Sequence, residues 1–127
     1  MRIQVHVSPG EAIDKLTILR IKAARITDTD KLSHVRREAA LLSAALAPLV
    51  DATPALATLS ESLRAVNEQL WDLEDTVRAL MRDREFGPRF VTVACAIHET
   101  NDRRAALKAE INALLQTDIA EQKSYAA

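Results

Sequence analysis

Hydrophobic residues recur along this chain with two periods, and the change between them falls at Ser8. Ile3, Val5 and Val7 alternate with Arg2, Gln4 and His6, a period of two that predicts a β-strand over residues 2–7. From Pro9 onward the apolar positions step by three and four. Ala12, Leu16, Leu19, Ala23 and Ile26 mark helix 1, and Leu32, Val35, Ala39, Leu42 and Leu46 mark helix 2. Helix 3 carries the strongest pattern, a heptad seam of Leu56, Leu59, Leu63, Val66, Leu70, Leu73, Val77 and Leu80. Helix 4 starts alike with Phe90, Val93 and Ile97 and finishes with Leu107, Ile111 and Leu114. Between them the seam positions are Thr100 and Arg104, so a polar gap is expected in the middle of the bundle.

Two glycines and four prolines leave few places for the chain to break, and each break carries helix-end chemistry. Ser8, Pro9 and Glu11 read as a capping box that opens helix 1 at residue 9. Helix 1 is expected to run to Ile26, where Thr27-Asp28-Thr29-Asp30 supplies turn formers and a cap for helix 2 over about 30–47, stopping before Pro48. Thr53-Pro54 repeats the cap-plus-proline signature and starts helix 3 over about 54–85. Gly87 closes that helix, Pro88 opens helix 4 over about 88–116, and 117–127 is a C-terminal tail. The expected fold is mainly α: one domain over 1–127, with a short N-terminal strand and then four helices in two antiparallel hairpins of a coiled-coil-like bundle. Helix 1 is also apolar off its seam, at Ile13, Ile18 and Ile21, so its second face must meet the other hairpin or another subunit.

A lone strand leaves backbone donors and acceptors exposed. No second strand is evident apart from a short stretch near Ile119. The expectation is that residues 2–7 pair antiparallel with a two-fold mate in a homodimer, or pack with the tail over 117–125. A two-stranded ribbon is marginal in water, so it would lie on Ile13, Ile18 and Ile21.

Composition narrows the function classes. The single Cys95 cannot form an internal disulfide, and MRIQVHV has none of the apolar stretch of a secretory leader, so a reducing cytoplasm is expected. No apolar run is long enough to span a membrane. A net charge of -1 exerts no overall pull on nucleic acid, and four aromatics (Trp71, Phe86, Phe90, Tyr125) are too few for a base-stacking platform. The expected partners are a second copy of the chain or another protein, with no nucleic acid and no cofactor.

Folding helix 4 back on helix 3 about Gly87 pairs positions whose numbers sum to about 174. Thr100 then lies level with Glu74, and Arg104 with Leu70. A buried arginine must be paired, and Glu74 is the nearest carboxylate flanking the seam. One account makes Arg104 and Glu74 an interhelical ion pair that sets register. The other makes Asn67, Trp71, Glu74, Arg78, Asn101, Arg104 and Lys108 the lining of a small polar pocket for an anionic or sugar-like ligand.

Other groups point less far. Asp72-x-x-Asp75 and Glu99-x-x-Asp102 resemble the magnesium-binding carboxylate pairs of all-α nucleotide pyrophosphohydrolases. Heptad phase, however, turns them to solvent on opposite sides of the hairpin, and the first half of that family's glutamate motif is missing. His98-Glu99-x-x-Asp102 lacks the second histidine of a zinc-protease helix, so no metal site is expected. Cys95 reads as a small core residue, and His6 and His34 as polar-face residues. Arg78, Arg82, Arg84 and Arg89 crowd the tip of the second hairpin, either as favourable charge at the end of helix 3 or as a docking patch for an acidic partner. A chorismate-mutase-like site would need more inward cations than Arg104 and Lys108.

The segments SPGEAIDKLTILRIKAARI, VNEQLWDLEDTVR, NDRRAALKAEINALL and EQKSY resemble the signature segments of a small uncharacterised bacterial family, a domain of unknown function, of short and mainly helical proteins. The resemblance implies no activity. It implies a place beside glycosyltransferase and surface-polysaccharide functions, and its segments contain Asn67, Trp71, Glu74, Asn101, Arg104 and Lys108. The expected function is a non-catalytic helical binding or assembly module. The alternative is a small all-α enzyme or ligand-binding protein using the polar level between helices 3 and 4.

Overall fold

A computed structural model describes residues 1–116. Within them the chain forms four helices: α1 (Pro9–Arg25), α2 (Thr29–Ala52), α3 (Leu56–Arg82) and α4 (Pro88–Leu114). Ser8 caps α1 by accepting the Glu11 backbone N–H at 3.2 Å. The reciprocal half of the capping box is replaced, because Glu11 Oε2 meets Lys108 Nζ of α4 at 2.7 Å. Asp28 caps α2 in the same way, accepting from Lys31 N at 2.9 Å.

Three boundaries differ from expectation, each for a local reason. Helix α2 runs through Pro48 to Ala52. A proline there removes one backbone donor, but buried Leu46 and partly buried Leu49 pack against the core on either side of it and hold the last turns in place. Helix α3 starts at Leu56, because Thr53 and Pro54 first make a turn in which their carbonyls accept from Leu56 N and Ala57 N. It ends at Arg82, with Glu85 N donating to Leu80 O and Arg84 N to Met81 O, the Schellman pattern. The left-handed residue of that motif is Arg84, at φ 53°, while Gly87 has φ -79° and serves as the N-cap of α4.

Helix α1 is the hub, packing against α2, α3 and α4, and α3 lies along α4. The core takes Ile13 and Leu16 from α1, Leu46 from α2, Leu56 and Leu63 from α3 and Ile111 from α4. The second apolar face of α1 is thus used within the chain: Ile13 and Ile21 are buried. Close packing of α1 on α4 depends on Gly10, where an added Cβ would stand 2.6 Å from Lys108 O.

The expected N-terminal strand is absent. Residues 1–8 make no strand, and among the described residues there is no second strand to complete a ladder. Ile3, Val5 and Val7 are instead 80%, 73% and 51% exposed. Ile13 and Ile21 cannot support a ribbon either, being covered by the chain's own helices. The tail from 117 to 127, including the stretch near Ile119, lies outside the described residues. Cys95, expected in the core, is exposed, because α4 turns Thr100 and Ile111 inward rather than that position.

Candidate functional site

The polar gap of α4 is filled from α1, not from α3. Arg104 Nε donates to Asp14 Oδ1 at 2.9 Å and its Nη2 to Asp14 Oδ2, a two-pronged pairing that matches guanidinium to carboxylate. Asn67 Nδ2 donates to the same Asp14 Oδ1 at 2.9 Å and to Thr17 Oγ1 at 2.7 Å. Thr17 in turn donates to the Asp14 carbonyl at 2.7 Å. Asp14 is 2% exposed, Thr17 4% and Asn67 5%. Every buried side-chain nitrogen and oxygen among the described residues has a hydrogen-bond partner, as burial of polar groups requires. The expected Arg104–Glu74 pair is therefore corrected: Glu74 stands one turn from Arg78, 3.7 Å away, and Arg104 belongs to Asp14.

Above this network a cavity of about 400 Å³ opens, lined by Ile18 of α1, Asn67, Leu70, Trp71, Glu74, Asp75 and Arg78 of α3, and Arg104 of α4. Five of the seven residues singled out from the sequence meet here: Asn67, Trp71, Glu74, Arg78 and Arg104. Asn101 is half-buried and outside that lining. Lys108 is buried towards the other end of α1, paired with Glu11, close to where Gly10 N donates to Asn112 Oδ1 at 2.8 Å.

Trp71 is held from outside the cavity. The Arg25 guanidinium lies 5.9 Å from the centre of its ring and bonds Asp72 at 2.6 Å. That hydrogen bond raises the Arg25 pKa above its ordinary value. Asp72 and Asp75 are both exposed, as expected; Asp72 also serves a side-chain pair, and Asp75 also lines the cavity. Among the described residues no group of three or more His, Cys, Asp or Glu is placed to hold a metal ion.

Sequence reasoning missed Asp14, Thr17 and Ile18. The available signal was the stripe Gly10, Asp14, Thr17, Ile21 on α1, stepping by four, three and four. A carboxylate in a buried stripe is the complement of a seam arginine elsewhere.

Two further features lie outside this site. A cavity of about 420 Å³ between α1, α2 and α3 is walled by aliphatic residues including Leu16, Leu46 and Val50, with Arg20, Asp51 and Glu61 also in its lining. At the α3–α4 tip every residue from Met81 to Arg89 is exposed, which puts Arg82, Arg84 and Arg89 in solvent beside Phe86.

Fold and site together define a bundle that is helical through its described residues, with a largely apolar cleft that carries two arginines, two carboxylates and Trp71 where α1 meets the α3–α4 hairpin. The chain belongs to a family of unknown function (DUF6165), whose model matches residues 3–127. No curated protein and no solved structure matches it. No helix among the described residues is long and apolar enough to cross a membrane.

Proposed function

We propose that this protein is a non-catalytic helical binding module, and that the cleft beside Trp71 takes a small anionic or sugar-like ligand. The observation that carries this reading is the separation of two layers. Arg104 is anchored from beneath by buried Asp14, whereas Glu74 and Arg78 of the wall above have side chains 46% and 75% exposed. A structural ion pair would close the level between α3 and α4. Here a cavity remains, of a size typical for small-ligand sites.

Trp71 is the only tryptophan in the chain, so its fluorescence reports on the cleft directly. Titration with small anions and with sugars is expected to give a saturable change that Arg78→Ala weakens. A flat response to both classes would refute the binding reading.

The assembly half of the reading rests on the N-terminal segment. Ile3, Val5 and Val7 expose three large apolar side chains within seven residues, and a second copy of the chain covers them in this proposal. Light scattering on the intact chain should then give a dimer, and removal of residues 1–7 a monomer; a dimer untouched by the deletion would move the contact elsewhere.

A further inference from the structure

Resting on that cleft being a binding site, we infer that its occupant is an uncharged sugar chain of two or three units rather than an anion. The argument starts with charge. The wall carries two guanidinium groups, Arg78 and Arg104, and two carboxylates, Glu74 and Asp75. Behind Arg104 lies a third carboxylate, Asp14, bonded through both its oxygens. The cations are thus matched within the protein, and an incoming phosphate or carboxylate would meet Glu74 and Asp75 at close range. Like charge across a binding surface is a device that rejects a ligand.

The same groups suit hydroxyls. A carboxylate accepts hydrogen bonds from sugar hydroxyls and a guanidinium donates to them, and charge-assisted bonds of this kind are the stronger class. Trp71 supplies a flat apolar wall for the C–H face of a sugar ring, as an indole does wherever one side of a ligand is apolar and its edge is wet. Its orientation is restrained before any ligand arrives, because Arg25, tied to Asp72, lies over its ring at 5.9 Å. Preorganisation of this kind lowers the ordering cost of binding.

Length sets the number of units. From Asn67 at the inner end to Arg78 at the outer end, α3 advances eleven residues, about 16 Å at 1.5 Å per residue. That is longer than one sugar ring. The lining is spread along it in order, with Asn67 and Arg104 towards one end, the apolar Leu70, Trp71 and Ile18 in the middle, and Glu74, Asp75 and Arg78 towards the other.

The test is a titration of the intact protein, following Trp71 fluorescence, with maltotriose, cellotriose and chitotriose as uncharged trisaccharides and with inorganic phosphate and glucose 1-phosphate as anions. A saturable change with an uncharged trisaccharide, little altered between low and high salt, is expected. The decisive variants are Glu74→Gln and Asp75→Asn, both at exposed or half-exposed positions. Each should weaken the trisaccharide about tenfold, the loss of one charge-assisted hydrogen bond. For an anionic ligand the same changes remove repulsion and strengthen binding, so the sign of the effect separates the two. Trp71→Ala, followed by calorimetry, should abolish binding with the unfolding midpoint retained. A response to phosphate alone, salt-sensitive and strengthened by Asp75→Asn, overturns this inference and leaves the binding module standing. Silence from every probe overturns both.

Discussion

The two ends of one polar stripe on α3 use similar chemistry for opposite purposes. At the inner end Asn67 reaches across 53 residues of sequence to Asp14, which Arg104 joins from 90 residues away. At the outer end Glu74 and Arg78 are one helical turn apart on the same helix, 3.7 Å from each other, the first half-buried and the second exposed. The inner groups are desolvated, so each must be satisfied and each fixes how α1 sits on the α3–α4 hairpin. The outer groups keep their water, so their mutual attraction is small. They remain available to something else. Burial, rather than residue type, decides which carboxylate is architecture and which is surface for a ligand.

That contrast breaks most visibly at Asp14. Asp14→Ala leaves Arg104 and Asn67 without their common acceptor, and an expected loss of about 3 kcal/mol, at the low end for a broken buried pair because Arg104 is partly exposed, would appear as a lower urea midpoint. Asp14→Leu combined with Arg104→Met should recover most of it, since two apolar side chains need no partner. An Asp14→Ala variant within about 0.5 kcal/mol of the parent would mean the network does not hold α1.

The next effect is steric. Gly10→Ala places a methyl 2.6 Å from Lys108 O and 2.9 Å from Asn112 Oδ1, forcing α1 away from α4 at a cost of about 1–3 kcal/mol. Gly10 lies one turn before Asp14 on the same helix, so a displaced α1 should also shift the Trp71 emission of the folded variant. The outer layer behaves differently: Glu74→Ala and Arg78→Ala are each expected to change unfolding free energy by less than about 0.5 kcal/mol, measured by the same urea titration.

The smallest effect is in pH dependence. The hydrogen bond from Arg64 holds the Glu61 carboxyl below its usual 4.5. A depressed folded-state value means the contribution is complete above pH 4.5 and is lost as pH falls through the lower value of the folded protein. Glu61 is exposed and Arg64 half-buried, so water screens the pair, and comparison of Glu61→Gln with the parent across pH 3 to 6 should show a slight convergence at the acid end.

Much of this was legible along the chain because it is local. Ser8 and Asp28 cap helices that begin where their side chains can reach the next turn, and Thr100 and Arg104 stood out as interruptions of an apolar seam. Asn67, Trp71, Glu74 and Arg78 were traced by helical spacing alone, and they do share one wall with Arg104. What escaped was the partner. Glu74 was the nearest carboxylate when only α3 and α4 were considered, and Asp14 entered only because α1 packs on both. Lys108, on the same reasoning, was drawn into the cleft, yet Glu11 of α1 holds it elsewhere. Proline and glycine signals also misled where packing or a left-handed arginine prevailed, at Pro48 and Arg84.

Periodicity, caps and turn residues by themselves determined the four helices of the described residues and roughly where each begins. These are decided by steric and hydrogen-bonding relations within a few residues. Tertiary structure alone decided that α1 completes the site, that Asp14 takes Arg104 and frees Glu74 for the cavity wall, and that residues 2–7 find no strand to pair with among the described residues. Those outcomes depend on desolvation and on distances between residues far apart in sequence. A period-two pattern can propose a strand, but only a neighbour at hydrogen-bonding distance can make one.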